Sequence, residues 1–212
     1  MRATSVAPVV NLVMGTDFGA SAHPSSVDLD LYELSADHLA AARGLLIGGN
    51  ADQVFLERHR DLLAGFAGTG GRIAVMGHAV TNFLPGLGVW RPLSHSGSAD
   101  LQIVAGADHP VWAGVDRADI SHRRGVSGFY ARGYSDTLPD GARVTNRIGR
   151  HELPVDYVYP IGAGEVLVHG GLDLAVFGDD PNTGSRMFPQ LLRWLGGTPE
   201  PGVPEPTRHT RK

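Results

Sequence analysis

Apolar residues fall in short runs, most of them bounded by Gly or Asp, at positions 9–14, 45–47, 73–76, 101–105, 166–168 and 174–177. Runs this short that are apolar on successive positions fit strands covered on both faces, as in a mainly parallel sheet. Two longer segments change period. In residues 52–67, Phe55, Leu56, His59, Leu62, Leu63 and Phe66 share one helical face, Asn50 or Asp52 can cap the start, and Gly70 with Gly71 ends the segment. In residues 185–195, Met187, Phe188, Leu191, Leu192 and Leu195 make a second stripe. There Pro189 delays or kinks the regular part of the helix.

The order strand 45–47, helix 52–67, strand 73–76 predicts a βαβ unit with a right-handed crossover. Residues 15–27 are too few and too rich in Gly, Ser and Pro for an ordinary crossover helix, so a loop or single turn is expected there. Residues 84–100 and 116–153 read as long irregular connections, which in a compact domain tend to lie around a pocket. One domain over residues 1–196 is predicted, followed by a Pro-rich disordered tail, 197–212, carrying Pro199, Pro201, Pro204 and Pro206.

Composition narrows the chemistry. The chain has 212 residues, and its 29 Gly and 14 Pro come without a Gly-X-Y period, so it reads as loop-rich but globular. No Cys is present, which removes thiolate nucleophiles, thiolate metal sites and disulfides together. Of 18 basic residues the only lysine is Lys212, so Schiff-base, pyridoxal phosphate and P-loop chemistry have no placed amine to use. A net charge of −4 with no long basic run argues against a nucleic-acid partner. The apolar N-terminal stretch is too short to span a membrane and lacks a clear cleavage site, so no membrane partner and a cytoplasmic location are expected.

In open α/β sheets ligands bind beyond the carboxyl ends of the strands. The residues that follow the predicted strands there are Asp17, Gly48 to Asn50, Gly77 and His78, and His169 to Gly171. The segment Arg72 to Ala79 runs a strand into Gly77-His78-Ala79, a sharp turn similar to a nucleophile elbow, with His78 as the presented side chain. A Gly-X-Ser-X-Gly elbow is absent, which sets aside an α/β-hydrolase. Arg123, Arg124, Tyr130, Arg132 and Tyr134 lie close in sequence and suit an anion or carbohydrate, or equally a solvated loop or subunit interface.

This layout, with His where class I glutamine amidotransferases carry Cys, resembles the ThuA-like (trehalose-utilisation) branch of that amidotransferase-like superfamily. Three further stretches resemble it: Ala42 to Gly49 as the strand entering a Gly-Gly turn, Asp108 to Val115 as an "HPI-x-x-G" segment, and Gly162 to Val168 as a "GxGRV" hairpin and strand. The likeness spans residues 40–195. It departs at Glu165, where the family has a basic residue, at His169-Gly170-Gly171, where it has Gly-His, and at Gly128 to Tyr134, which lacks an expected acid. The resemblance implies a flavodoxin-like three-layer α/β sandwich of the class I glutamine amidotransferase-like type. It excludes glutaminase chemistry, because the Cys is missing.

Two function classes follow. In one the chain acts on a sugar or related small metabolite with His78 as general acid and base, a task suited to an imidazole. In the other it is a catalytically silent module that binds a ligand or assembles with partner subunits, including copies of itself. The expected ligand site at the carboxyl edge contains Asp17, Gly49 and Asn50, His78 as the catalytic group, and His109 or His169. Each histidine also has a plain structural reading: a cap at His78, a turn before Pro110 at His109, a buried strand end at His169. No cofactor is assigned. A metal site would require the fold to gather His78, His109, His169 and Asp17.

Overall fold

The structure, a computed structural model, describes residues 9–15, 25–94 and 96–197. Asp17 and the tail from residue 198 onward lie outside the described residues, as does most of the expected first loop. The first strands are β1 (Val9–Val13), β2 (Ser26–Asp30), β3 (Gly44–Ile47), β4 (Arg72–Met76), β5 (Trp90–Pro92) and β6 (Ile103–Ala105). They are followed by β7 (His122–Arg123), β8 (Val126–Ser127), β9 (Gly133–Ser135), β10 (Arg143–Ile148), β11 (Leu153–Ile161) and β12 (Gly164–His169). The helices are α1 (Ala36–Ala40), α2 (Gln53–Arg58), α3 (Arg60–Gly68), α4 (Arg117–Ser121) and α5 (Met187–Leu195).

Eight strands form one sheet in the order β2-β1-β3-β4-β12-β11-β10-β6. The pairs from β2 across to β12 are parallel, and β11, β10 and β6 add an antiparallel side. Strands β3 and β4 are parallel neighbours, as the βαβ pattern requires. Alternate residues of the central strands feed two cores. Leu45, Ile47, Ile73, Val75, Val166 and Val168 pack with Leu56 and Leu63 of α2 and α3 on one face. Leu46, Ala74, Met76 and Leu167 pack with Leu191 and Leu195 of α5 on the other. Two helical layers around a mostly parallel sheet make the flavodoxin-like three-layer sandwich.

Three local expectations need correction. The helix expected over 52–67 is broken at His59, because its imidazole bonds the carbonyl of Phe55 at 2.9 Å while its own N–H turns to Leu56 O at 3.0 Å. Asp52 caps the first half through the N–H groups of Val54 and Phe55. Residues 174–177 form a 3-10 turn rather than a strand, with Leu174 and Phe177 inward and Val176 outward, so the burial follows a helical period. The stretch read as irregular over 116–153 holds α4, β7 to β9 and β10; β10 escapes notice because Arg143, Asn146 and Arg147 interrupt its apolar pattern.

Candidate functional site at the carboxyl edge of the sheet

Three turns meet at the carboxyl ends of β3, β4 and β12. Gly77 leaves β4 with φ of +81°, and a Cβ there would lie 2.6 Å from Gly49 Cα, so only glycine lets the β3 and β4 turns touch. The turn is clamped by Gln53, whose Nε2 donates to His78 O at 2.7 Å and whose Oε1 accepts from the N–H groups of Val80 and Thr81. Held this way, His78 is exposed and lies on Trp90 with ring centroids 3.7 Å apart. Partial burial and, secondarily, the charge of His169 hold the His78 pKa below the usual histidine value, so the ring is neutral near pH 7.

Beside the elbow, Asp173 accepts a hydrogen bond from Gly49 N at 3.2 Å. Burial raises its carboxyl pKa, against the lowering effects of that bond and of His169. Asn50 and Asp173 line a cavity of about 620 Å³ between the ends of β1 and β3 and the 174–177 turn, walled mostly by Leu12, Met14, Leu46, Met76, Leu174 and Phe188. His78 lies outside that lining.

Behind these turns His169, the last residue of β12, is wholly buried. Its Nδ1 is 2.6 Å from Asp156 Oδ1 and its Nε2 is 2.8 Å from Leu172 O. The other Asp156 oxygen accepts from Asn146 Nδ2 at 2.6 Å and from the Tyr130 hydroxyl, which itself accepts from Trp112 Nε1 at 2.8 Å. Arg117 Nε donates to Asn146 Oδ1 at 2.7 Å and closes the network. A carbonyl only accepts, so Nε2 donates to Leu172 O; opposite an ionised Asp156, Nδ1 donates as well and the ring is an imidazolium. Burial pulls its pKa down, but the charge and hydrogen bond of Asp156 and the bond to Leu172 O leave it raised.

The fold therefore brings Gly49, Asn50, His78 and His169 to one edge. His109 is not among them. It sits at the opposite, amino edge, against Trp112 and Trp194, beyond the sheet from the elbow. Its Nδ1 caps the turn at Val111, and burial, with Arg143 and Arg72 nearby, pushes its pKa down to about 4. The physical reason is strand direction: β6 runs antiparallel to β10, so the chain leaving β6 emerges at the amino ends of the parallel strands. The Arg and Tyr residues grouped by sequence also part company, since Arg123 pairs with Asp180 at 2.6 Å while Tyr130 is core. Among the described residues no three His, Asp or Glu side chains converge so as to hold a metal ion, and none of the helices is long and apolar enough to cross a membrane.

Asp173, Trp90 and Asp156 were not singled out by sequence. Asp173 follows Gly170-Gly171 and could have been found as the acid after a strand-end Gly pair, whereas Trp90 reaches the edge from an apparently irregular segment. Asp156 supplies the acid to Tyr130 that the local segment lacks, from a strand 26 residues later.

No family model matches the chain, and no curated protein does. Among solved structures it is similar to cytoplasmic protein STM3548 from Salmonella typhimurium, with a TM-score of 0.55 and 14% identity over 88% of this chain and 98% of that one. It also matches cytoplasmic protein STM1381 from Salmonella typhimurium LT2, at 0.47 and 16% over 80% and 75%. A third match is Gan42B, a GH42 β-galactosidase, at 0.46 and 11% over 89% of this chain and 30% of that one. At these identities the first likeness shows a shared fold.

Proposed function

We propose that this chain is a ThuA-like protein of the amidotransferase-like superfamily that takes a sugar or related small metabolite at the carboxyl edge of its sheet, with His78 as general acid and base. The observation that supports it most is the presentation of His78. Its imidazole is exposed on a glycine-dependent elbow, stacked on an aromatic ring, and makes no hydrogen bond to any described residue. A neutral ring with both nitrogens available can accept a proton from a substrate hydroxyl and return it. Asp173, with its pKa moved upward as that of His78 moves downward, stands on the neighbouring turn as a second proton-exchanging group. A cytoplasmic setting agrees with the naming of the similar Salmonella protein.

Calorimetric titration with a panel of mono- and disaccharides tests this. Binding by the wild type that weakens at least tenfold in His78→Ala is the expected result, and equal binding by both proteins contradicts a role for His78. A second reading, a catalytically silent ligand-binding or assembly module, is favoured by the apolar lining of the adjacent cavity, from which His78 is absent. In that case ligand binds His78→Ala as tightly as wild type and no turnover accompanies it. Sedimentation separates the assembly version, which requires a stable homo-oligomer.

A further inference from the structure

We propose that the buried Asp156–His169 couple is the positioning element of this site, holding the 170–173 turn so that Asp173 stays against Gly49 and Trp90 stays under His78. This rests on the reading of His78 and Asp173 as the functional pair. Neither Asp156 nor His169 is exposed, so neither can touch a ligand. Their influence runs through the turn. His169 Nε2 binds Leu172 O, which fixes the peptide that leads into Asp173. Gly170 O accepts from Trp90 Nε1 at 3.0 Å, and the N–H of Gly170 is bound to Val155 O at 2.9 Å. Leu172 N returns to Tyr130 O at 3.1 Å, and a Cβ on Gly171 would run into that same carbonyl. The turn is thus pinned on one side by the ion pair and on the other by the backbone around Tyr130, whose hydroxyl binds Asp156.

A buried ion pair is a poor way to gain stability, because desolvating both charges offsets most of their attraction. This one has a different consequence. Opposite an ionised Asp156, a neutral histidine carries one ring proton and could donate to Asp156 or to Leu172 O, but not to both. In its ionised form the couple lets a single side chain donate both to β11 and to the turn. The charged and titratable groups around His169 are Asp156 on β11, Tyr130, Asp173 on the turn, His78 on the elbow, and Arg117 on α4 behind Asn146. The positive ring faces both members of the functional pair and favours neutral His78 and ionised Asp173.

Nitrogen-15 NMR of the histidine rings in the full chain tests the proposal. The expected wild-type result is that both His169 ring nitrogens stay protonated from pH 5 to pH 8 while His78 titrates separately. In Asp156→Asn, which keeps shape and removes the charge, His169 should become neutral and the His78 midpoint should rise by about half a pH unit. The Trp90 indole N–H resonance should shift in the same variant. His169→Gln, lacking the charge altogether, is the second variant and should move His78 in the same direction. A His169 ring that loses a proton near pH 6.5 in the wild type overturns the proposal. So does a folded variant in which His78 and Trp90 are unmoved. Loss of saccharide binding in His78→Ala concerns the functional reading alone, and leaves these ring signals as an independent test.

Discussion

His78 lies almost flat on Trp90, with 3.7 Å between ring centroids and 18° between their planes. The indole is itself tied down by its bond to Gly170 O, so the elbow histidine rests on a surface anchored to the end of β12. Replacing Trp90 with Ala should therefore do two things. It should raise the His78 midpoint toward the ordinary value by relieving burial, and it should destabilise the fold by about 2–3 kcal/mol, less than a fully buried Trp would cost. Histidine NMR and urea titration read the two effects separately.

His78→Ala, by contrast, should lower stability by no more than about 1 kcal/mol, since an exposed side chain contributes little to a core. Chemical denaturation of this variant checks that any loss of binding comes from the ring and not from unfolding.

Gly77→Ala should be among the most damaging small substitutions in the chain. It forces a left-handed backbone on a residue with a Cβ and drives that Cβ to 2.6 Å from Gly49 Cα. A loss of about 3 kcal/mol or more is expected from strain and displacement together, measured by urea unfolding.

The acid side of the stability profile should report His109. Its folded pKa is depressed to about 4, below the unfolded value near 6.5, so the unfolded chain binds a proton first as pH falls. Stability from this residue is complete above pH 6.5, declines as pH drops toward 4 and is then constant. His169 has the opposite sign. Its raised folded pKa gives a contribution that is full below pH 6.5 and is lost as pH rises through its folded value. In His109→Asn, which keeps an acceptor for Val111 N, the fall in urea midpoints between pH 6.5 and 4 should be shallower than in the wild type.

What could be read from sequence follows from which interactions are local. Strands β3, β4 and β12 announce themselves because residues 45–47, 73–76 and 166–168 are apolar at successive positions and buried on both faces, and the elbow follows from Gly77-His78 directly after one of them. Strand β11 carries Pro154, Asp156 and Pro160, and its register against β12 is set by pairing such as Asp156 opposite His169, which no local pattern contains. His109 shows the same limit from the other side. A residue after a strand reaches the ligand edge only if that strand points the same way as its neighbours, and the direction of β6 is decided by its pairing with β10. Asp173 was hidden because the apolar residues after it suggested another strand, whereas Leu174 and Phe177 are spaced for a helical turn.

Backbone amide mapping of the bound saccharide is the most direct test. Adding a ligand identified by calorimetry to labelled protein should shift Gly49, Asn50, Gly77, His78, Trp90 and Asp173 together, and leave the amino-edge residues Arg72, His109 and Trp194 in place. Shifts centred on Arg72, His109 and Trp194, with the elbow unperturbed, would contradict a carboxyl-edge site.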